Sequence, residues 1–206
     1  TYKIARPATV KSDGTDYRLP VGGVSLKSDF RYAAFPRASE YAYLNTTVIN
    51  EDQMQLPAGA LGVFLDGDFV GRSSIDNVSP GEKFDLYLGI DENVKVKREQ
   101  LEKKTDDTLI GGLPSSTIRV TTTNRIKVEN YKTKSISVYL FEAMPVSEND
   151  QIKVKILSVK PEPKEKDWEK RKGVWRWSFD LKPRQISEII YTFSVEYPRN
   201  TQIEGL

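Results

Sequence analysis

The side chains with most chemical potential in this chain are carboxylates: Asp66, Asp68, Asp76, Asp85, Asp91 and Glu92, all within one short stretch. Two carboxyl groups held about 5–9 Å apart across a glycosidic bond can hydrolyse it. A larger set could supply the six to eight oxygens that Ca²⁺ takes. The local sequence favours a plainer use. Asp66 and Asp68 flank Gly67, where aspartate helps to form the turn itself. No alternating Asp/Asn loop ending in glutamate, as a calcium-binding loop requires, is present. Asp66, Asp68 and Asp91 form the alternative candidate, a cleft that binds or cleaves carbohydrate.

Missing residue types narrow the remaining chemistry. The 206 residues include no histidine and no cysteine, which removes the usual nucleophile–base pairs and most transition-metal ligands. A serine nucleophile would then need a lysine base, and no Ser-x-x-Lys opens a helix. Gly22-Gly23 and Gly111-Gly112 lack the following helix and the Lys-Ser/Thr of a phosphate cradle. No catalytic residue, cofactor or metal is expected, and the chain reads as non-enzymatic. Thirty-one basic residues against 29 acidic leave a net charge of +2, without the concentrated basic face that nucleic acid demands. No apolar run approaches the roughly 20 residues needed to cross a bilayer. Asn45-Thr46-Thr47 and Asn77-Val78-Ser79 match the glycosylation pattern, and in a Ser/Thr-rich β-protein they read as chance matches.

Short stretches alternating apolar with polar residues must position whatever site exists, and they predict an all-β fold. Strands are expected at Tyr2–Val10, Tyr17–Pro20, Phe30–Phe35 and Tyr41–Ile49. Leu61–Leu65 and Phe69–Gly71 read as a hairpin about Asp66-Gly67, and Phe84–Ile90 follows. Lys97–Lys104 either extends that strand or forms a short helix. The second half is cleaner, with Ile118–Asn130, Ile136–Leu140 and Ile152–Ile156. Trp175/Trp177/Phe179/Leu181 and Ile189/Tyr191/Phe193/Val195 then each share a face. Lys160–Lys172 reads as a charged loop. The expected organisation is two sandwich-like units with long charged loops and little helix. One is an N-terminal β-rich unit over 1–90; the other, over 91–206, is immunoglobulin- or fibronectin-like.

A partner site is the more credible functional surface. Tyr139 and Phe141 lie opposite Val138 and Leu140, so both faces of that strand carry large apolar groups: either the outer pair is covered or it forms an exposed patch. Trp168, within the charged loop, is a buried anchor or an exposed contact. Tyr41, Tyr43, Phe30 and Tyr32 read chiefly as core. An open edge strand would also accept a partner peptide.

Several blocks in succession carry a family resemblance. They are Leu56-Pro57-Ala58-Gly59, Val63 through Arg72, Leu88-Gly89-Ile90-Asp91, and Val128-Glu129-Asn130-Tyr131-Lys132. Trp177, Leu181-Lys182-Pro183 and Val195-Glu196-Tyr197-Pro198 complete the series. It resembles the C-terminal domain of the mucoidy-inhibitor-like proteins, a domain of unknown function. The resemblance implies an upstream domain and a coiled coil through which the longer protein oligomerises. It also implies an exported, periplasmic or otherwise envelope-associated location, with Leu206 a natural end and Thr1 an internal cut. No catalytic residue transfers from it. The expected role is a structural or protein-interaction module with an unidentified protein partner, no nucleic acid and no transmembrane segment.

Overall fold

The computed structural model describes residues 7–65, 67–106, 109–110, 113–114, 116–201 and 203. Nearly every element is a strand, and no α-helix occurs among the described residues. In chain order these are β1 (Asp29–Ala34), β2 (Tyr41–Ile49), β3 (Gly59–Leu65), β4 (Asp68–Ile75), β5 (Lys83–Asp106), β6 (Leu109–Ile110) and β7 (Leu113–Pro114). There follow β8 (Thr117–Asn130), β9 (Ile136–Ala143), β10 (Lys153–Lys160), β11 (Val174–Leu181) and β12 (Ile186–Pro198). Lys97–Lys104 extends the preceding strand, the first of its two expected forms. Residues 7–28 carry no strand, which corrects the expectation at Tyr17–Pro20 and over the described part of Tyr2–Val10. A strand needs a free ladder edge and a face to bury. β1 already lies between β2 and β9, and Val10, Tyr17 and Leu19 stay exposed.

Eight strands form one sheet in the order β10-β12-β8-β5-β2-β1-β9-β11, while β3–β4 and β6–β7 are separate two-stranded ribbons. All pairings are antiparallel except β1 with β9, where Tyr32 lies against Val138. The 24-residue β5 organises the whole. Its first part pairs with β2 and its second with β8. Tyr41 faces Lys95 but Ala42 faces Asp91, so Glu92–Val94 have no partner on β2 where the strand changes partner, and Val94 already pairs with Asn130 of β8. A second irregularity lies beside Gly89, whose φ of +96° suits glycine. Residue 90, the expected boundary between the units, lies within β5.

These irregularities let the sheet fold over itself. β12 and β9 stand five places apart in the sheet, about 24 Å if it were flat. Yet the Tyr191 hydroxyl of β12 donates to Glu142 of β9 at 2.7 Å. Inward residues from both ends fill one core: Tyr32, Leu44, Val96, Ile126, Leu140, Trp177 and Tyr191 are all buried in it. Each comes from the apolar phase of an alternating strand. A strap between β10 and β11 runs along the β11 edge. Glu165 bridges to Arg176 and the Trp177 indole N–H donates to the Pro161 carbonyl at 2.8 Å.

Two polar devices fix this arrangement. Buried Asn130 ends β8, and its amide donates to the carbonyls of Lys134, Leu181 and Lys182 at 3.0, 3.1 and 3.0 Å. Its Oδ1 accepts from the Lys132 N–H at 3.0 Å. At the β5 switch, Asp91 pairs with the Lys132 ammonium and accepts from the Tyr32 hydroxyl at 2.8 Å. Its other oxygen accepts from the Asn93 N–H at 3.0 Å. Burial opposes the charge on Asp91, but Lys132, Tyr32 and the Asn93 N–H together hold its carboxyl below the ordinary value of 3.8.

Two measurements check these roles. Asn130→Asp would turn a donor into an anion facing three carbonyls. It is expected to lower the urea-unfolding free energy by about 3–5 kcal/mol; a change below about 1 kcal/mol would refute the staple. Because the folded Asp91 carboxyl ionises at lower pH than the unfolded one, its stabilisation is full above the unfolded value. It is lost as pH falls through the folded one. Lys132→Met should therefore flatten the fall in stability below about pH 4, and parallel curves for the two proteins would contradict this.

Candidate functional site

The expected partner residues come together on the outer face of the sheet. Along β9, Val138, Leu140 and Glu142 are buried inward while Tyr139 and Phe141 point out, half-buried. Phe141 stacks on Phe35 with centroids 5.2 Å apart and planes 13° apart, and Trp168 meets its other side at 4.7 Å. Phe35 also contacts Tyr43 at 6.1 Å, so the rings run as a row from β2 to the strap. Tyr139 lies between the guanidinium groups of Arg31 and Arg176, at 5.5 and 4.8 Å, and Arg171 sits over Trp168 at 5.3 Å. Cations over ring faces are attracted by the ring quadrupole. The sheet's pleat sets out Tyr43, Tyr139, Phe141, Arg31 and Arg176 on its solvent side, and Phe35 just past β1 with Trp168 and Arg171 of the strap extends the set to five aromatic residues and three arginines. Phe35 is 41% exposed and the other four rings are half-buried. The outer pair of β9 is thus partly covered by this chain's own side chains, and Trp168 is both anchor and partly exposed contact. Of the aromatic set read chiefly as core, Tyr32 is buried, Tyr41 and Tyr43 are half-buried, and Phe30 is exposed.

Trp168 is held by unusual backbone. Asp167, Glu169 and Lys170 all have positive φ, at 53°, 50° and 63°. Left-handed conformations of this kind cost about 1–3 kcal/mol each in non-glycine residues and persist where surroundings enforce them. Here Asp167 accepts from the Gly173 N–H at 2.6 Å, closing the turn beneath the indole.

The alternative carboxylate cleft is not assembled by any contact among the described residues. Asp66 lies outside them. Asp68 opens β4 in the hairpin, opposite Leu65. Asp91 is committed to Lys132 and Tyr32, which leaves it poorly suited to general acid–base work. Asp85 accepts from the Thr47 hydroxyl at 2.6 Å, while Asp76 and Glu92 are exposed. No cluster of metal-ligating side chains occurs among the described residues.

A polar group that sequence reasoning missed lies inside the fold. Glu142 is fully buried, and one of its oxygens accepts from Arg37 Nε at 3.0 Å, Arg98 Nε at 3.1 Å and the Tyr191 hydroxyl at 2.7 Å. Burial first, then the neighbouring Glu142 charge and hydrogen bond, push the Tyr191 phenol up to about 12, against the opposing Arg98. The signal was available. Continuing the Ile136/Val138/Leu140 alternation by one step places Glu142 on the inner face.

Comparison with known proteins gives a family but no chemistry. The chain is 25% identical over 212 residues to Protein F37C4.5 of Caenorhabditis elegans, a match covering 98% of this chain and 37% of that protein. The chain therefore spans little more than a third of that relative's length. No solved structure matches significantly. The pattern of the domain of unknown function DUF4139 matches residues 1–199, and the chain belongs to that family.

Proposed function

We propose that this domain is a non-enzymatic protein-interaction module of a longer, envelope-associated protein of the mucoidy-inhibitor type. The observation that carries the reading is the outer row Tyr43–Phe35–Phe141–Trp168 with its flanking arginines. Aromatic residues and arginine are the side chains enriched where protein partners bind most strongly. A strained turn that presents an indole fits the same use, because strain of this kind clusters at binding sites. The fold supports it too. Residues 117–198, built from alternating antiparallel strands packed face to face, resemble the immunoglobulin-like architecture common among interaction domains. The carbohydrate reading has less support: Phe141 and Trp168 are tilted by 56°, so they offer no shared flat platform.

The direct test is crosslinking of the full-length protein in its native membrane fraction, mapped by mass spectrometry. A protein partner joined through Lys170, in the same turn as Trp168, is expected. Trp168→Ala should reduce its recovery by about 30-fold, the loss typical of one strong contact residue. Recovery unaffected by Trp168→Ala, or capture of glycan in place of protein, would overturn the assignment.

A further inference from the structure

We propose that β10 is an acceptor edge, built to add an extended partner segment whose side chains alternate between apolar and acidic. The proposal deepens the interaction-module reading and rests on it, but it places the partner's backbone at a second location. β10 ends the eight-stranded sheet; among the described residues it has β12 on one side and no strand on the other. Exposed backbone N–H and C=O groups along such an edge are ready to pair with an incoming strand.

The side chains select what can be added. Ile152 and the inward residues Val154 and Ile156 of β10 are only half-buried. With Met144, Val146 and Trp175 they line a groove of about 380 Å³, a size typical of binding clefts. Alternate side chains of an added strand would project into this groove. Its rim on the strap side carries Lys166, 4.6 Å over the Trp175 ring, and Lys172. On the opposite side of β10, Lys153 and Lys155 are exposed.

The outer surface beside β10 carries three cations, Lys153, Lys155 and Arg119, against two carboxylates, Asp106 and Glu196, and the acid nearest the groove is already engaged. Asp167 accepts from the Gly173 N–H at 2.6 Å. Glu196, opposite Lys153 in register, is held by Arg119 at 2.7 Å, although Lys153 and Lys155 also lower its pKa. Positive charge therefore remains beside the apolar floor. A carboxylate at every second position of an added strand would complement it. A second copy of this chain would instead set Lys153 and Lys155 against themselves, and like charges across a strand pair repel. The same lysines thus exclude self-addition and favour an acidic partner.

The test uses the folded domain and two synthetic peptides as long as β10, 8 residues. One alternates valine with glutamate and the other valine with lysine. Fluorescence anisotropy should show saturable binding of the glutamate peptide and at least about tenfold weaker binding of the lysine peptide. Hydrogen exchange should slow at the β10 amides. The double variant Lys153→Glu/Lys155→Glu should reverse the preference. Equal binding of both peptides, protection away from β10, or slowed β10 exchange from self-association of the unliganded domain would overturn the proposal. If glutamate-peptide binding fails while crosslinks still depend on Trp168, the edge proposal falls and the interaction-module reading stands. If both fail, both readings fall.

Discussion

The structure depends on one strand serving two partners. β5 pairs with β2 before the switch and with β8 after it, so every strand in the main sheet is placed directly or through neighbours by how β5 bends. A bend in a strand leaves ladder groups without partners, and those groups need compensation. At the switch the Asp91 carboxylate accepts from the Asn93 N–H and the Asn93 carbonyl accepts from the Tyr131 N–H, while Lys132 and the Tyr32 hydroxyl hold that carboxylate in place. The ties come from three directions, since Tyr32 lies on β1, Lys132 follows β8 and Asn93 lies on β5 itself. Asn130 performs a similar service two residues before Lys132 by joining the ends of β8 and β11. A few polar residues at the margin of the core thereby fix the relative positions of two large apolar faces.

The inner and outer faces have opposite economies. Inside, the charged Glu142 is surrounded by Arg37, Arg98 and Tyr191. An apolar group of similar volume would often serve stability as well, because desolvating ions is expensive. Such a cluster constrains which strand faces which, since removing a donor leaves the fully buried Glu142 carboxylate short of partners. Outside, large aromatic rings remain partly open to water. Their mutual stacking and the covering guanidinium groups limit that exposure without abolishing it. Two surfaces of one strand, β9, thus carry a costly polar group inward and costly apolar groups outward.

Much of this was legible in the sequence, for local reasons. The alternation in Trp175–Leu181 and Ile189–Val195 fixes which residues face inward, because side chains on a strand point to opposite sides in turn. The Asp66-Gly67 turn was readable from two residues, although only Gly67 lies in the described part of it. Convergence of Tyr139, Phe141 and Trp168 followed partly from the excess of apolar groups on β9. Illegible features depend on partners distant in sequence. The change of partner along β5, the insertion of β1 between β2 and β9, and the lack of a ladder slot beside β1 for residues 7–28 leave no short-range pattern. The Asp91 cluster was hidden similarly, since Tyr32 and Lys132 have no reason to meet until the sheet has folded over.

The parallel contact between β1 and β9 has to wait for synthesis of the chain between them. Tyr32 pairs with Val138, so β1 emerges from the ribosome about a hundred residues before the strand that completes its ladder, a wait of roughly 5–20 s at ordinary synthesis rates. During that interval one edge of β1 is unsatisfied, and its pairing with β2 offers no second neighbour. Contacts so distant in sequence also slow folding after synthesis, because the intervening loop must lose its freedom before the contact repays it. Until β9 is made, that open edge is a place where nascent chains of this domain can pair wrongly, with themselves or with one another.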